Sequence, residues 1–371
     1  MNQQTAVFLS NESMILLSRL LLMSKESCKA HSSEMEVLQA EVRCISREKF
    51  DNLVGLASSN HVIVRGLEIF MEMMQEAKDD IRVEWAANAL EAERARIRSA
   101  LTFLQEICAE FDNSSYDITV IKSLDHLPDL GSDLDLFSNA RPEDIFKLMA
   151  VRFNARVGPQ SWGDRLACKW NFFVPGLSEA VEIHMGRLGQ TGEQVPLASR
   201  IAHRSRKILV DGRMFRVPCA SDRLMISAMQ RMYRHFYFRL CDILDTAELS
   251  DSGGIDFMDL HSSATKAGIW EGVATYLVIV SDYVQKYSSK GLDLPPFVRS
   301  AARFGGSRVY FAKEFLRVPI VPQSAELYAT QFAGLLRRHE LQNTARLSLL
   351  PWLATAALVG QKITGSDKGI W

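Results

Sequence analysis

From Leu67 to Phe111 the chain runs without a proline or a glycine, and its apolar residues recur at three- and four-residue spacing among many Glu, Ala, Arg and Met. That spacing gives each turn of helix one apolar stripe, and a stripe needs a partner to cover it, so the segment predicts an amphipathic bundle. The pattern reaches back to about residue 10 and stops at Asp112-Asn113-Ser114-Ser115. Those side chains compete for backbone hydrogen bonds and favour turns. Residues 1–112 are therefore read as an N-terminal helical region.

Beyond the turn come short runs rich in Val, Ile and Phe, separated by Pro, Gly and Asp. Strands are predicted at Asp117–Lys122, Asp133–Phe137, Lys169–Val174 and Ala180–Met185, with a hairpin Ile208–Val210 / Met214–Val217 turned by Asp211-Gly212. Pro142 opens a helix of roughly ten residues between the second and third strands. Residues 113–220 read as one small domain with a mixed sheet, and 221–371 as a C-terminal helical region. In that last region helical periodicity starts at Ser221, a plausible N-cap, and persists to about Lys286 with a break at Gly253-Gly254. The class is α+β, a small mixed-sheet core between two helical flanks.

Charge narrows the partners. The formal net charge is -1, which supplies no excess of cations to neutralise a long polyanion, so long nucleic acid is disfavoured. Six cysteines, Cys28, Cys44, Cys108, Cys168, Cys219 and Cys241, form no CxxC pair and no Cys/His spacing suited to zinc. Reduced thiols and a cytoplasmic location are expected. The apolar runs Met14–Met23, which contains Arg19, and Leu347–Gly360, which contains Pro351, are too short to span a membrane and read as buried helices.

The chemistry concentrates in Ile121-Lys122-Ser123 and Asp133-Leu134-Asp135-Leu136, with nine residues between Ser123 and Asp133. A small hydroxyl residue after a strand, followed by a turn and two alternating aspartates, places a phosphate site beside a divalent-metal site. Residues two apart in a strand share a face, so Asp133 and Asp135 project together while Leu134 and Leu136 enter the core. Two neighbouring carboxylates repel unless a positive group sits between them, and Mg²⁺ meets that need while keeping positions for water and phosphates. By itself the pattern also fits a solvated sheet end. Glu182 and His184, alternating with Val181, Ile183 and Met185, add a second polar face and a third carboxylate.

These residues resemble the nucleotidyltransferase superfamily with the DNA polymerase β-like fold. Ile121-Lys122-Ser123 stands at its first element, Asp133-Leu134-Asp135-Leu136 at its second and Val181-Glu182-Ile183 at its third. Lys122 departs from the usual glycine and is similar to a poorly characterised bacterial branch with a Lys-Ser, Asp-x-Asp, Glu-x-His pattern. The resemblance covers roughly residues 116–245. It implies transfer of a nucleoside monophosphate from an NTP, ATP foremost, to a hydroxyl of a small molecule or protein, with Mg²⁺ or Mn²⁺ and release of pyrophosphate. Asp133, Asp135 and Glu182 would hold the metal. Ser123 would touch the β- and γ-phosphates with Lys122 as a point charge, and Gly131-Ser132 would let the backbone turn into the metal-bearing strand.

Further residues carry two readings each. His184 either orients Glu182 and meets the acceptor or is a structural histidine. The loop Gly186–Gly192, with Arg187, is either a surface loop or an acceptor-binding loop. Among the basic residues near the hairpin, Arg204 and Lys207 either reach the triphosphate or belong to a solvated face. Arg231, His235, Arg239 and Asp242 fall at i, i+4, i+8 and i+11 on one helix and form either its wet side or a wall of the nucleotide cleft. Competing with the enzyme are a nucleotide-binding regulator or antitoxin-like protein without turnover, and a helical scaffold whose acidic pair is accidental.

Overall fold

The computed structural model describes residues 3–23 and 32–364. The N-terminal region folds as helices α1 (Gln3–Leu22), α2 (Ser32–Arg43), α3 (Arg47–Ser59), α4 (Ile63–Glu76) and α5 (Asp80–Asn113). The long proline-free stretch breaks once, where Lys78 takes left-handed backbone (φ 56) and Asp79 accepts a hydrogen bond from Arg82 N at 3.1 Å to start α5. With 34 residues α5 is about 50 Å long. Its Arg96 donates to Leu130 O (2.9 Å) and Gly131 O (3.2 Å), clamping the loop that leads into the acidic strand.

A five-stranded sheet follows, built from β1 (Thr119–Val120), β2 (Asp133–Ser138), β3 (Arg156–Val157), β4 (Lys169–Phe173) and β5 (Ala180–Met185) in the order β1-β2-β5-β4-β3. Only β2 and β5 run parallel; the other pairs are antiparallel. Helix α6 (Pro142–Phe153) crosses from β2 to β3. Helices α7 (Trp162–Ala167) and α8 (Val195–Arg204) flank the β4–β5 segment, and α8 leads into the hairpin β6 (Arg206–Val210) and β7 (Arg213–Val217). Asp211 (φ 47) and Gly212 (φ 76) turn that hairpin, as the Asp-Gly pair predicts. The strand expected at Asp117–Lys122 is shorter in the structure. Ile121 N still donates to Asp135 O at 3.0 Å, but Lys122 (φ -144, ψ -43) then swings into a 3₁₀ turn, Ser123–His126.

The C-terminal region corrects one expectation. No continuous helix runs from Ser221. Helix α9 (Ala220–Met229) has Cys219 as its N-cap, passes into a π-helical turn at Gln230–His235, and ends at Phe236 in left-handed backbone (φ 54). Strand β8 (Tyr237–Phe238) intervenes before α10 (Leu240–Asp251), α11 (Phe257–Ala267) and α12 (Trp270–Tyr287). After α13 (Pro296–Ala301), strands β9 (Tyr310–Ala312) and β10 (Phe315–Arg317) return, and β10 pairs with β8. Residues far along the chain thus interrupt the helix, and local periodicity carries no sign of that pairing.

Nearly all of the apolar interior is one cluster reaching from Met14 in α1 to Leu327, so the three regions read from the sequence share a core. Helix α12 is buried on most sides and packs against α1, α9, α10, α11 and α13. Helices α14 (Ala325–Arg337), α15 (Leu341–Ser348) and α16 (Leu350–Thr364) close the described chain over a smaller cluster of Leu335, Leu347 and Leu350. The apolar run Leu347–Gly360 is helical but only partly buried: Leu347 and Leu350 are covered, whereas Trp352 is 75% exposed. No described helix is long and apolar enough to cross a membrane. Five cysteines are free thiols, and Cys28 lies outside the described residues.

Candidate active site

The parallel pairing of β2 with β5 sets Asp135 opposite Glu182 and Phe137 opposite His184. Period two sends Leu134, Leu136, Val181 and Ile183 into the core at 0% exposure and turns Asp133, Asp135, Glu182 and His184 to the other face. Oxygen and nitrogen atoms of Asp135, Glu182 and His184 lie within 4.8 Å of one another. Asp133 stands at the open end of the strand, exposed.

Two lysines answer the carboxylates. Lys122 Nζ is in contact with Asp135 Oδ1 and lies 3.4 Å from Glu182 Oε1. Lys169 Nζ bridges Glu182 Oε2 and Asp164 Oδ1, each at 2.8 Å. His184 Nε2 holds Glu182 Oε1 at 3.0 Å. Against the cost of burial, Lys122 and Lys169 hold the Glu182 carboxyl well below its usual range. Burial pushes Asp135 up to about 7, opposed by Lys122 and reinforced by the Glu182 charge. Glu182 therefore takes the negative charge first and Asp135 gains a proton near neutrality. Burial also lowers His184 to about 4, so its imidazole is neutral at pH 7.

Ser123 lines the cavity beside these groups and is also tied to the acidic strand. Its buried hydroxyl donates to Asp133 O (3.1 Å) and accepts from Asp135 N (2.8 Å), so its one proton is engaged by β2. The side chain bolts the 3₁₀ turn to the acidic strand.

Over these groups opens a cavity of about 240 Å³. Ser123, Gly131 and Ser132 line it, and so do Arg231, His235 and Arg239, which with Gln230, Arg234 and Tyr237 form a basic wall. The stripe foreseen on one helix thus faces the cavity although the helix is broken. Arg231 is 3% exposed and paired with Asp242 at 2.7 Å, and Arg234 reaches Asp164 at 3.6 Å. Arg239 forms no ion pair among the described residues, and its Nε is buried without a hydrogen-bond partner. Burial together with Arg234, Arg231 and Arg239 keeps His235 well below its usual range, hence neutral.

Three expected residues lie elsewhere. Arg204 pairs with Asp259 at 2.8 Å on the surface, and Lys207 is exposed on β6 opposite Arg216. Arg187 turns to Gly192 O at 3.0 Å. Its loop is neither a surface loop nor part of the cavity: Gln190 to Gln194 are buried, organised by the Glu193 carboxylate, which accepts from Gln190 N (3.3 Å) and Thr191 N (2.9 Å). Conversely, sequence reasoning missed Lys169, Asp164, Arg234, His61 and His126. Lys169 had a local signal, since it heads a predicted strand beside the one carrying Glu182, but its facing depends on a pairing register the sequence does not display.

The chain matches no family model, no curated protein and no solved structure.

Proposed function

We propose that the protein is a nucleotidyltransferase that moves a nucleoside monophosphate from an NTP, ATP foremost, to a hydroxyl of a small molecule or protein. One observation carries the reading: Asp135 and Glu182 stand in register on adjacent parallel strands, with Asp133 at the open end and an arginine wall lining the cavity. In this reaction the acceptor oxygen bonds to the α-phosphorus, the bond from that phosphorus to the bridging oxygen breaks, pyrophosphate leaves, and the hydroxyl proton passes to water.

The donors that converge are the Asp135 and Glu182 carboxylates with the His184 imidazole, an oxygen-rich set that suits Mg²⁺ or Mn²⁺, with the Asp133 carboxylate at the open end of the same strand. Asp133, Asp135 and Glu182 would hold it, and it would supply charge neutralisation at the phosphates and a lowered pKa at the acceptor hydroxyl. Lys122 stands between Asp135 and Glu182, so its ammonium would compete with a cation there and, once freed, would suit a phosphate in the cavity. Arg239, unpaired on the wall, takes the role first given to Arg204 and Lys207. His184 fixes the Glu182 carboxylate in one orientation. Ser123 braces β2 and lines the same cavity, which keeps its proposed place beside the triphosphate.

The test is incubation with each α-labelled NTP and Mg²⁺ or Mn²⁺, scoring pyrophosphate and labelled acceptor. Transfer that survives Asp133→Asn with Asp135→Asn defeats the reading. A second reading, a nucleotide-binding regulator without turnover, draws on Lys122 as a built-in substitute for the cation. NTP binding without pyrophosphate release across a broad acceptor panel favours it.

A further inference from the structure

Beside the same cavity, three side chains from distant parts of the chain meet on different chemistry. His61 lies in the corner between α3 and α4, His126 ends the 3₁₀ turn, and Cys241 sits in the first turn of α10. One ligand atom of each lies within 4.8 Å of the other two. Two imidazoles and a thiol are borderline nitrogen and sulfur donors, which select zinc-like cations over magnesium.

Each donor is held in place. His126 Nδ1 is bound to Asp245 Oδ2 at 2.5 Å, which leaves Nε2 facing Cys241 Sγ at 4.0 Å. A carboxylate on the far nitrogen is how metal-ligating histidines are oriented. Arg65 locks that pair by donating to Asp245 Oδ1 and to His126 O, both at 2.9 Å. On the other side Asn60 ties α10 to the residue before His61: Asn60 O accepts from Cys241 N (3.2 Å) and Asn60 Oδ1 from Leu240 N (3.1 Å). His61 itself is in left-handed backbone (φ 53), and its Nδ1 is buried without a hydrogen-bond partner. An orphaned imidazole nitrogen beside a fully buried thiol and an oriented imidazole is a donor set lacking its acceptor.

We infer that His61, His126 and Cys241 form a binding site for a borderline divalent cation of the Zn²⁺ kind, distinct from the carboxylate cluster and open toward the cavity at its fourth position. Three protein ligands with one position left over is the pattern of zinc sites that accept water or substrate. With Zn–N of about 2.0–2.1 Å and Zn–S of about 2.3 Å, tetrahedral geometry asks for roughly 3.6 Å between Nε2 and Sγ, a small closure from the separation present. Binding takes the thiol proton of Cys241 to solvent, while His126 keeps its Nδ1–H on Asp245. The cation fastens the N-terminal helices, the turn before β2 and the C-terminal region to one another. The site stands whether or not the carboxylates support nucleotide transfer.

The test uses the full chain, stripped by chelator, and Co²⁺ as a spectroscopic probe followed by displacement with Zn²⁺. Expected are a thiolate-to-cobalt band in the near ultraviolet that saturates at one equivalent and intense visible bands of tetrahedral cobalt. Cys241→Ser abolishes the thiolate band, whereas Cys44→Ser and the pair Asp135→Asn with Glu182→Gln keep it. Asp245→Asn weakens binding about 10- to 100-fold. Should Cys241→Ser fail to fold, His61→Gln, at the cavity rim, decides: it lowers Co²⁺ affinity at least about tenfold and removes the rise in melting temperature that Zn²⁺ gives the parent. Absence of the thiolate band in the parent, its survival in Cys241→Ser, or unchanged affinity in His61→Gln overturns the site.

Discussion

Lys122 Nζ lies 3.4 Å from Glu182 Oε1, inside the gap that two facing carboxylates leave between them. Removing that ammonium by Lys122→Met leaves Asp135 and Glu182 buried with one fewer counter-charge. Breaking such a pair costs about 3–5 kcal/mol, most of it the penalty of an uncompensated buried charge. If the gap is a cation site, Mn²⁺ restores part of that stability. The variant's melting temperature is then expected to climb more steeply with Mn²⁺ than the parent's. Equal responses of the two proteins exclude a cation between these carboxylates.

Asp133 separates function from stability. It is exposed at the end of β2, and its one nearby side-chain hydrogen bond, from Ser132 Oγ, is long at 3.5 Å. Asp133→Asn is therefore expected to change unfolding free energy by no more than about 0.5 kcal/mol. Turnover, measured as pyrophosphate release, is expected to fall at least about 100-fold, as for removal of a group that stabilises transition-state charge. A variant that keeps full activity removes Asp133 from the site.

How much of this was legible in the sequence follows from range. The alternation in Asp133–Phe137 and Ala180–Met185 announced both strands nearly to their ends, because a half-buried strand writes its period locally. It also placed Asp135 and Glu182 on polar faces. What joins them is the parallel register of β2 with β5, strands that are neighbours in the sheet but separated along the chain by α6 and the β3–β4 segment, and no local pattern encodes that. Lys169 and Asp164 were lost for the same reason: a lysine at the start of a strand looks like a solvated residue until its neighbour is known. The break at Phe236 was hidden because neither Gly nor Pro marks it; the strand Tyr237–Phe238 exists through pairing with Leu316 and Arg317. Arg204, at the end of α8, and Lys207, on β6, take the solvated-face reading of their cluster, and clustered charge alone did not decide between the two readings.

Arg204 belongs instead to a surface network, where Asp259 accepts from Arg204 (2.8 Å) and from Arg200 (3.0 Å). Against a burial cost, these hydrogen bonds lower the Asp259 carboxyl to about 2. A folded-state pKa below the unfolded value means stability that is present above about pH 4 and is lost as pH falls toward 2. Because the network is partly exposed, its worth at pH 7 is discounted to about 1 kcal/mol or less. Denaturant titrations of Asp259→Asn are expected to show that deficit at pH 7 and a gap to the parent that closes between pH 4 and pH 2. Arg204→Ala shares the small deficit and leaves NTP affinity unchanged. A weakened NTP affinity in Arg204→Ala restores that residue to the triphosphate site.

The cavity wall depends on a close approach between α12 and the π-helical turn. A Cβ added at Gly272 in α12 meets the Tyr233 hydroxyl at 2.3 Å and its ring carbons at 2.4 and 2.6 Å, and Tyr233 is 4% exposed. A buried ring has no free space to yield into, so Gly272→Ala overpacks the contact by about 1–3 kcal/mol. Tyr233 lies in the π-helical turn between Arg231 and Arg234, so relief of the clash moves the wall itself. The expected outcome is lower stability together with weaker nucleotide binding. Gly55→Ala provides the contrast: it sits exposed in α3 with nothing within 4 Å of an added Cβ. There the substitution stabilises by roughly 0.5–1 kcal/mol through helix propensity and leaves binding alone. Calorimetric unfolding with nucleotide titration of both variants checks the pair. If Gly272→Ala loses stability yet binds nucleotide normally, the arginine wall is not part of the nucleotide site.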